Sequence, residues 1–181
     1  MTSEEPVQLA VIVGSVREVR FGPVVATWFV GRAKQRDDLT IDVIDLADTP
    51  IPSAGFADRI GVADAYVVVT PEYNHSFPGP LKHAIDSVRT QWKAKPVGFV
   101  SYGGLSGGLR AVEPLRVVFA ELHAVTVRDT VSFHGGRRCF DEAGNPREAH
   151  QVNLAATILL DQVTWWAHAL RSARAVRPYA F

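Results

Sequence analysis

The sequence is poor in cysteine and has no excess of charge of either sign. Cys139 is the only cysteine among 181 residues, which excludes an internal disulfide and a zinc cluster of several thiolates. Lysine and arginine together number 19, as do aspartate and glutamate, so the formal net charge is zero. This balance argues against general binding to nucleic acid or to anionic membranes. The sequence also lacks any apolar run near the roughly 20 residues that span a bilayer.

The amino-terminal stretch and the chain length predict where the protein resides and how it is organised. MTSEEPVQ is acidic and polar and lacks the basic and apolar blocks of a secretory signal, so we expect a cytoplasmic protein. A length of 181 residues with 47% hydrophobic side chains suffices for one full core. We therefore predict a single domain over residues 1–181.

Short runs rich in β-branched and aromatic side chains alternate along the chain with stretches of helical periodicity. The predicted strands cover residues 7–13, 40–46, 65–70, 96–101 and 124–133. One predicted helix begins at Gly22-Pro23. The other predicted helices cover residues 81–92, 109–122 and 149–175. In the last helix, the side chains expected to face the core are Leu154, Ile158, Val163 and Trp166.

The alternation of strands and helices predicts an α/β fold with right-handed crossovers. Five strands favour a doubly wound, flavodoxin-like parallel sheet of order 2-1-3-4-5, in a three-layer αβα arrangement, over the six strands of a dinucleotide fold. Ligands of such sheets bind at the carboxyl ends of the strands, near the point where the strand order reverses. The loops that leave those ends, all unusual in composition, are 14–22, 71–80 and 101–108.

The first loop has the composition of a phosphate site. It joins a buried strand to the start of a helix, where unpaired backbone N–H groups and the helix dipole favour anions. Ser15 offers a hydroxyl, and Arg17 and Arg20 offer guanidinium groups. Neither a Walker loop nor the G-x-G-x-x-G fingerprint is present, which favours a mononucleotide phosphate. An ordinary surface turn with exposed arginines is the alternative.

The second and third loops favour a flat heteroaromatic ligand. Several prolines stiffen residues 71–80. After the predicted strand 65–70, Glu72 and Asn74 provide polar groups and Tyr73 provides an aromatic ring. Glycines in SYGGLSGG let the backbone of residues 101–108 come close to a ligand from the other side. We expect Tyr73 to pack near the ligand ring, and a purely structural tyrosine remains the alternative.

The three loops together carry a family resemblance. The matching residues are Gly14-Ser15-x-Arg17, Pro71-Glu72-Tyr73-Asn74 with Ser76, Pro78-Gly79 and Leu81-Lys82, and Gly107-Gly108-x-Arg110-Ala111 followed by Leu115-Arg116. In these motifs the sequence resembles the NADPH-dependent FMN reductase family of flavodoxin-like proteins, which includes quinone, azo-dye and chromate reductases. The resemblance covers about residues 7–128.

The resemblance implies FMN as cofactor, NADPH or NADH as electron donor, and a role for each loop. Ser15 and Arg17 would hold the FMN phosphate, residues 71–74 would border the ribityl chain and isoalloxazine, and residues 101–104 would approach the flavin from the other side. The family often has a second Ser or Thr in the first loop, where this chain has Arg20-Phe21-Gly22, so Arg20 or backbone amides are expected to replace it. The candidate cofactor residues are Gly14, Ser15, Arg17, Arg20, Phe21, Gly22, Pro71, Glu72, Tyr73, Asn74, Ser101, Tyr102, Gly103 and Gly104.

The predicted function is that of an FMN-dependent NAD(P)H oxidoreductase. The flavin would carry the redox chemistry, so no catalytic side chain and no metal site are expected. With no second nucleotide fingerprint in the sequence, NAD(P)H and a quinone, azo-dye, metal-oxyanion or free-flavin acceptor would react in turn, by a ping-pong scheme. A flavodoxin-type electron carrier and a non-enzymatic binding module are the alternatives. Zero net charge argues against a carrier that docks through an acidic surface.

Two further expectations concern assembly and the lone cysteine. The resemblance implies a homodimer or tetramer formed through residues 81–92 and 109–122, and the apolar side chains expected at that interface are Leu81, Ile85, Val112 and Leu115. Cys139 follows Arg137 and Arg138, whose charges are expected to lower its pKa. The paired Trp165 and Trp166 are expected in the core or at an interface.

Overall fold

The computed structural model describes residues 5–181. The first four residues of the predicted amino-terminal stretch, MTSE, lie outside the described residues. Within residues 5–181, no helix is both long enough and apolar enough to cross a membrane.

A parallel five-stranded sheet forms the centre of the molecule. Its strands are β1 (Val7–Val13), β2 (Leu39–Asp45), β3 (Ala65–Pro71), β4 (Pro96–Gly103) and β5 (Val125–His134). The order across the sheet is β2-β1-β3-β4-β5, which confirms the predicted flavodoxin-like topology. The order reverses between β1 and β3, so loops at the carboxyl ends of β1, β3 and β4 are neighbours.

Helices cover both faces of the sheet, as the three-layer αβα prediction requires. They are α1 (Gly22–Ala33), α2 (Ala54–Val62), α3 (Gly79–Asp86), α4 (Leu109–Glu121) and α5 (Ala149–Val176), with short 3₁₀ turns at Thr90–Trp92 and Gly136–Cys139. One hydrophobic layer lies between the sheet and α1 and α5, and the other lies under α2, α3 and α4. Burial on both faces explains why β1 and β3 are apolar at almost every position.

Two helices differ from the prediction. Residues 54–62 form α2, which the sequence analysis did not assign, and the Ser53 hydroxyl caps it by accepting from the Phe56 N–H at 3.1 Å. Helix α3 ends at Asp86, although the pattern predicted helix as far as residue 92. The chain turns there and places Trp92 in the core, where its indole N–H donates to the carbonyl oxygens of Ile85 and Val88, both at 3.1 Å.

The face of α5 that meets the core was predicted wrongly in part. Val163 is buried as expected, but Leu154 and Ile158 are 55% and 42% exposed. Trp165 and Trp166 are also exposed and pack edge to face on each other. The other buried residues of α5 are Ala156, Leu159, Leu160, Thr164 and Ala167. Gly98 of β4 lets this helix come close, because a Cβ there would lie 2.9 Å from Leu159.

The apolar residues predicted for a dimer interface belong to the core of one subunit. Leu81, Ile85, Val112 and Leu115 are each at most 1% exposed and pack in the layer under α2, α3 and α4. They have no free surface with which to meet a second copy. If α3 and α4 take part in an interface, other residues of these helices must form it.

Candidate functional site

Three loops meet at the carboxyl edge of the sheet. The Gly14 N–H donates to the Val69 carbonyl at 2.9 Å, which joins the first loop to β3. The Glu72 N–H donates to the Tyr102 carbonyl at 3.1 Å, which joins the second loop to β4. The predicted loops are therefore neighbours, held together by backbone hydrogen bonds.

Arg20 braces the first loop. Its guanidinium donates to both carboxylate oxygens of Asp45, at 2.7 and 2.8 Å, and to the Ser15 carbonyl at 3.2 Å. Asp45 ends β2 directly beside Val13 in the sheet, so the adjacent strand supplies the acid. Both side chains are largely buried, at 15% and 22% exposed. The charge of Arg20 is thus balanced by Asp45, and its contact with a phosphate stays a prediction.

Ser15, Arg17 and Tyr73 form a compact group between the first and second loops. The Ser15 hydroxyl lies 2.7 Å from the Tyr73 hydroxyl, and Ser15 is only 1% exposed. The Arg17 guanidinium carbon lies 3.7 Å from the centre of the Tyr73 ring, within cation–π distance. The arrangement leaves the exposed Arg17 with no carboxylate partner among the described residues. Both residues predicted to bind phosphate are thus brought together.

The start of α1 has no capping side chain and faces a buried hydroxyl. Phe21 is the N-cap residue, and the first turn carries no acidic residue. A Cβ on Gly22 would lie 2.9 Å from the Tyr102 hydroxyl oxygen, which has no hydrogen-bond partner within residues 5–181. Burial raises the pKa of the Tyr102 phenol well above its usual range and the nearby Tyr73 adds to the shift, although the Ser15 hydroxyl and the charges of Arg20 and Arg137 act in the opposite direction. The hydroxyl therefore keeps its proton.

The second loop folds as a tight turn. Tyr73 and Ser76 exchange backbone hydrogen bonds of 2.8 and 3.0 Å, with Asn74 and His75 at positive φ between them. Such φ values suit the central residues of a two-residue hairpin turn. Asn74 and His75 thus lie at the tip of the turn.

Glu72 carries the connection to the third loop and to α4. Its carboxylate accepts from the Ser106 hydroxyl and pairs with Arg110 at 3.4 Å. Burial alone would raise the pKa of this carboxyl, but the Ser106 hydrogen bond and the Arg110 charge outweigh it and lower the pKa. Glu72 therefore remains ionised and fixes the relative position of the two loops.

Most glycines at the site are required by protein packing and not by a ligand. A Cβ on Gly14 would lie 3.1 Å from Leu81, and one on Gly103 would lie 2.9 Å from the Gly108 nitrogen. Gly107 and Gly108 have positive φ, and a Cβ on Gly107 would overlap Ser132. Gly104 alone among these five has nothing within 4 Å of its Cβ position, so that position is open.

Cys139 does not have the predicted lowered pKa. Burial raises the pKa of its thiol, and the negative charge of Glu148 adds to the effect. The thiol donates to the His134 carbonyl at 2.8 Å. Arg137 and Arg138 directly precede Cys139 in the chain, but their charges do not outweigh these two effects.

The chemistry available at this site is binding chemistry. In the part of the chain that the structure describes, no group of three or more His, Cys, Asp or Glu side chains is arranged to hold a metal ion. The side chains at the strand ends are hydroxyl, amide and guanidinium donors around an uncapped helix. Such a set binds an anion and positions an attached group.

The comparison with known families decides which class of proteins shares this site. The sequence profile of the family described as NADPH-dependent FMN reductase matches residues 7–137, a range that includes all three loops. This chain belongs to the NADPH-dependent FMN reductase family. The predicted family resemblance is thereby confirmed, and with it the assignment to a class of oxidoreductases.

Individual members of the FMN reductase family match to different extents. An NAD(P)H-dependent FMN reductase of Schizosaccharomyces pombe is 35% identical over 120 residues, which are 56% of this chain and 60% of that protein. The match thus spans about three fifths of this relative. An FMN-dependent NADPH-azoreductase of Staphylococcus haemolyticus is 29% identical over 175 residues, which are 84% of this chain and 91% of that protein.

A solved structure supports the fold. The flavoenzyme NAD(P)H:(acceptor) oxidoreductase of Paracoccus denitrificans superposes with a TM-score of 0.71. The superposition covers 90% of this chain and 97% of that one, at 22% sequence identity. At this identity the likeness concerns the arrangement of strands and helices alone.

The described residues fit the phosphate end of FMN, the cofactor that the family name implies. A phosphate monoester needs several donors, and the site has an uncapped helix start, the buried Ser15 hydroxyl and the Tyr102 hydroxyl, for which residues 5–181 provide no hydrogen bond of normal geometry. A free buried hydroxyl is costly unless a ligand satisfies it. Arg17 adds a charge that no described carboxylate balances.

Sequence reasoning missed four residues that shape the site: Asp45, Ser106, Arg110 and Arg137. A signal for Asp45 was present, since the predicted order 2-1-3 places the end of β2 beside the first loop. Arg110 stands inside a quoted motif, but nothing in the sequence paired it with Glu72. Arg137 lies far along the chain, and no local pattern connects it to the first loop.

Proposed function

We propose that this chain is an FMN-dependent NAD(P)H oxidoreductase that reduces a quinone, azo-dye, metal-oxyanion or free-flavin acceptor. The observation that carries the proposal is the family match over residues 7–137, with Gly14-Ser15-x-Arg17 intact at an uncapped helix start. When bound, FMN would take a hydride from NADH or NADPH and pass two electrons to the acceptor. The protein would supply placement and shielding from water.

The residues of the three loops would divide that work. Ser15 and Arg17 would hold the phosphate, and the Glu72–Ser106–Arg110 contacts would keep the second and third loops at a fixed separation. Gly104 would present open backbone, and Tyr73 an aromatic ring, at the edge where the flavin is expected. No side chain is assigned a proton-transfer role, because hydride transfer to a flavin needs none from the protein.

A reduction experiment tests the function. With bound FMN, anaerobic NADPH or NADH is expected to bleach the flavin absorbance, which should return in air. The sequence has no second nucleotide fingerprint, so NAD(P)H and the quinone are expected to use the same face of the flavin in turn. Steady-state rates measured at varied NAD(P)H and quinone concentrations should therefore give parallel double-reciprocal lines. A yellow protein that NAD(P)H does not bleach would favour an electron carrier, and intersecting lines would contradict the shared face.

Replacing Arg17 tests the phosphate assignment. Arg17→Ala should weaken FMN binding by about 1.5 kcal/mol, roughly tenfold, the lower end for a hydrogen bond to a charged group, because Arg17 is exposed to solvent. Riboflavin, which lacks the phosphate, should bind both proteins equally. Fluorescence titration with each flavin measures the ratio. Equal FMN affinity in the two proteins would remove Arg17 from the site.

The oligomeric state and the location of the protein are also proposals. We propose a homodimer or tetramer, as the closed symmetric assembly common among soluble proteins. The core positions of Leu81 and Ile85 mean that an interface on α3 must use its outer residues, such as the exposed His83. A cytoplasmic location and a single domain over residues 1–181 are part of the same proposal.

A further inference from the structure

A buried hydroxyl at the start of α1 has no hydrogen-bond partner. Tyr102 is 6% exposed, and no described residue makes a hydrogen bond of normal distance and geometry with its hydroxyl oxygen, although the Ser15 hydroxyl is near enough to lower the pKa of the phenol. The ring crosses from β4 to the first loop, so that this oxygen lies 2.9 Å from the position of a Cβ on Gly22. The side chain of Ser15, itself 1% exposed, approaches the same Cβ position to 3.7 Å. The Tyr102 hydroxyl and the Ser15 side chain therefore converge on the start of α1.

The Arg20 guanidinium near this hydroxyl is already paired with a carboxylate. Asp45 binds Arg20 through both carboxylate oxygens and balances its charge. A second guanidinium arrives from the 3₁₀ turn after β5, since the Arg137 guanidinium carbon lies 5.5 Å from the centre of the Phe21 ring. Phe21 in turn packs edge to face on Tyr102, with ring centres 5.9 Å apart. No described carboxylate pairs with Arg137.

The turn that carries Arg137 is fixed to the third loop. The Gly135 N–H donates to the carbonyl oxygens of Gly103 and Gly104, at 3.0 and 2.8 Å. Phe140 follows the turn and packs on Phe21 with ring centres 5.2 Å apart. These contacts hold the turn against the first loop, so Arg137 is restricted to the neighbourhood of the helix start. Arg138, one residue later, lines a groove with Cys139 on another side of the turn.

We propose that the Tyr102 hydroxyl and the Arg137 guanidinium complete the phosphate site, together with Ser15 and the start of α1. The ligand class is a phosphate monoester, and the inference rests on the proposed function in taking FMN as that ester. These donors would approach the ligand from the first loop, from β4 and from the turn after β5. Three such directions suit the tetrahedral oxygens of a phosphate. The structure therefore adds two positions to those expected from the family motif.

Flavin titrations of two variants test this site. Tyr102→Phe removes one hydroxyl and keeps the ring, and Arg137→Gln removes the charge. Each should raise the dissociation constant for FMN about tenfold and leave that for riboflavin unchanged. Arg138→Gln is the matched control and should bind both flavins as the wild type does. Equal weakening of FMN and riboflavin, or unchanged FMN binding in both variants, would overturn the inference.

Thermal unfolding of the flavin-free protein gives a second readout. Tyr102→Phe should melt no lower than the wild type, because it removes a buried hydroxyl that has no partner. A lower melting temperature would show that the hydroxyl is bonded within the protein and would count against the inference. Wild-type protein that binds neither flavin would overturn the proposed function alone. In that case inorganic phosphate is the probe: the inference stands if phosphate raises the melting temperature of the wild type but of neither variant, and falls otherwise.

Discussion

Gly108→Ala is expected to lower the free energy of unfolding by about 2–5 kcal/mol. Gly108 has a φ of 89°, where an L side chain costs roughly 1–2 kcal/mol. Its new Cβ would also lie 2.7 Å from the Ser101 Cβ and 2.8 Å from the Tyr102 nitrogen. Backbone atoms cannot move aside as a side chain can, so the overlap adds about 1–3 kcal/mol. Urea unfolding followed by circular dichroism measures the sum.

Two other glycines separate the causes of that loss. Gly135 has a φ of 97° but only distant neighbours, the nearest being the Cys139 sulfur at 3.8 Å from its Cβ position. Gly135→Ala should therefore show the conformational cost alone, about 1–2 kcal/mol. Gly104→Ala meets nothing within 4 Å and should change stability by less than about 0.5 kcal/mol. Equal losses for all three variants would refute this account of the loop.

The glycines of the third loop show what composition can and cannot indicate. Their number predicted a loop in which backbone approaches something closely. The structure shows that the close approach is mostly to β4 and β5, through Gly107 and Gly108, and that Gly104 is the open position. Sequence alone does not say whether the neighbour of a glycine is a ligand or another part of the chain.

The sheet was predictable because its strands are short apolar runs separated by polar turns. Burial on both faces leaves β1 and β3 apolar at almost every position, and this pattern has few other structural explanations. Helix α2 was not predictable from the same signal, since AGFADRIGV contains two glycines and only two fully buried side chains, Phe56 and Ile60. Its start is marked by Ser53, a capping residue that also occurs in loops.

The strand order predicted which loops form the site, but it did not predict which side chains pair within it. Strand order alone placed the first, second and third loops at one edge, and the structure confirms that they are neighbours. Whether an arginine of the first loop faces an anion depends on the nearest carboxylate. Asp45 binds Arg20, whereas Arg17 lies on the Tyr73 ring. The sequence of the loop does not encode which of the two arginines pairs with an acid.

Lys95 should make stability rise with pH in the alkaline range. It is 7% exposed, and its ammonium group donates to the carbonyl oxygen of Gly61 at 2.7 Å and to that of Ile60 at 3.2 Å. Burial, aided by the charge of Arg174, lowers its pKa from 10.5 to about 8. Between these values the unfolded chain binds the proton and the folded chain does not, so raising the pH favours the folded state. Below about pH 8 both states carry the charge, and the cost of burying it is fully present.

A pair of variants isolates this effect from the other groups that titrate at high pH. The free energy of unfolding of the wild type, minus that of Lys95→Met, should increase by about 2–3 kcal/mol from pH 7 to pH 10.5, at ~1.4 kcal/mol for each pH unit between the two pKa values. Loss of the hydrogen bonds to Gly61 and Ile60 lowers the stability of the variant by the same amount at every pH, so it does not alter the slope. Lys34→Met, at an exposed lysine beyond α1, should run parallel to the wild type. Parallel curves for Lys95→Met as well, measured by urea unfolding across this range, would mean that folding does not lower the pKa of Lys95.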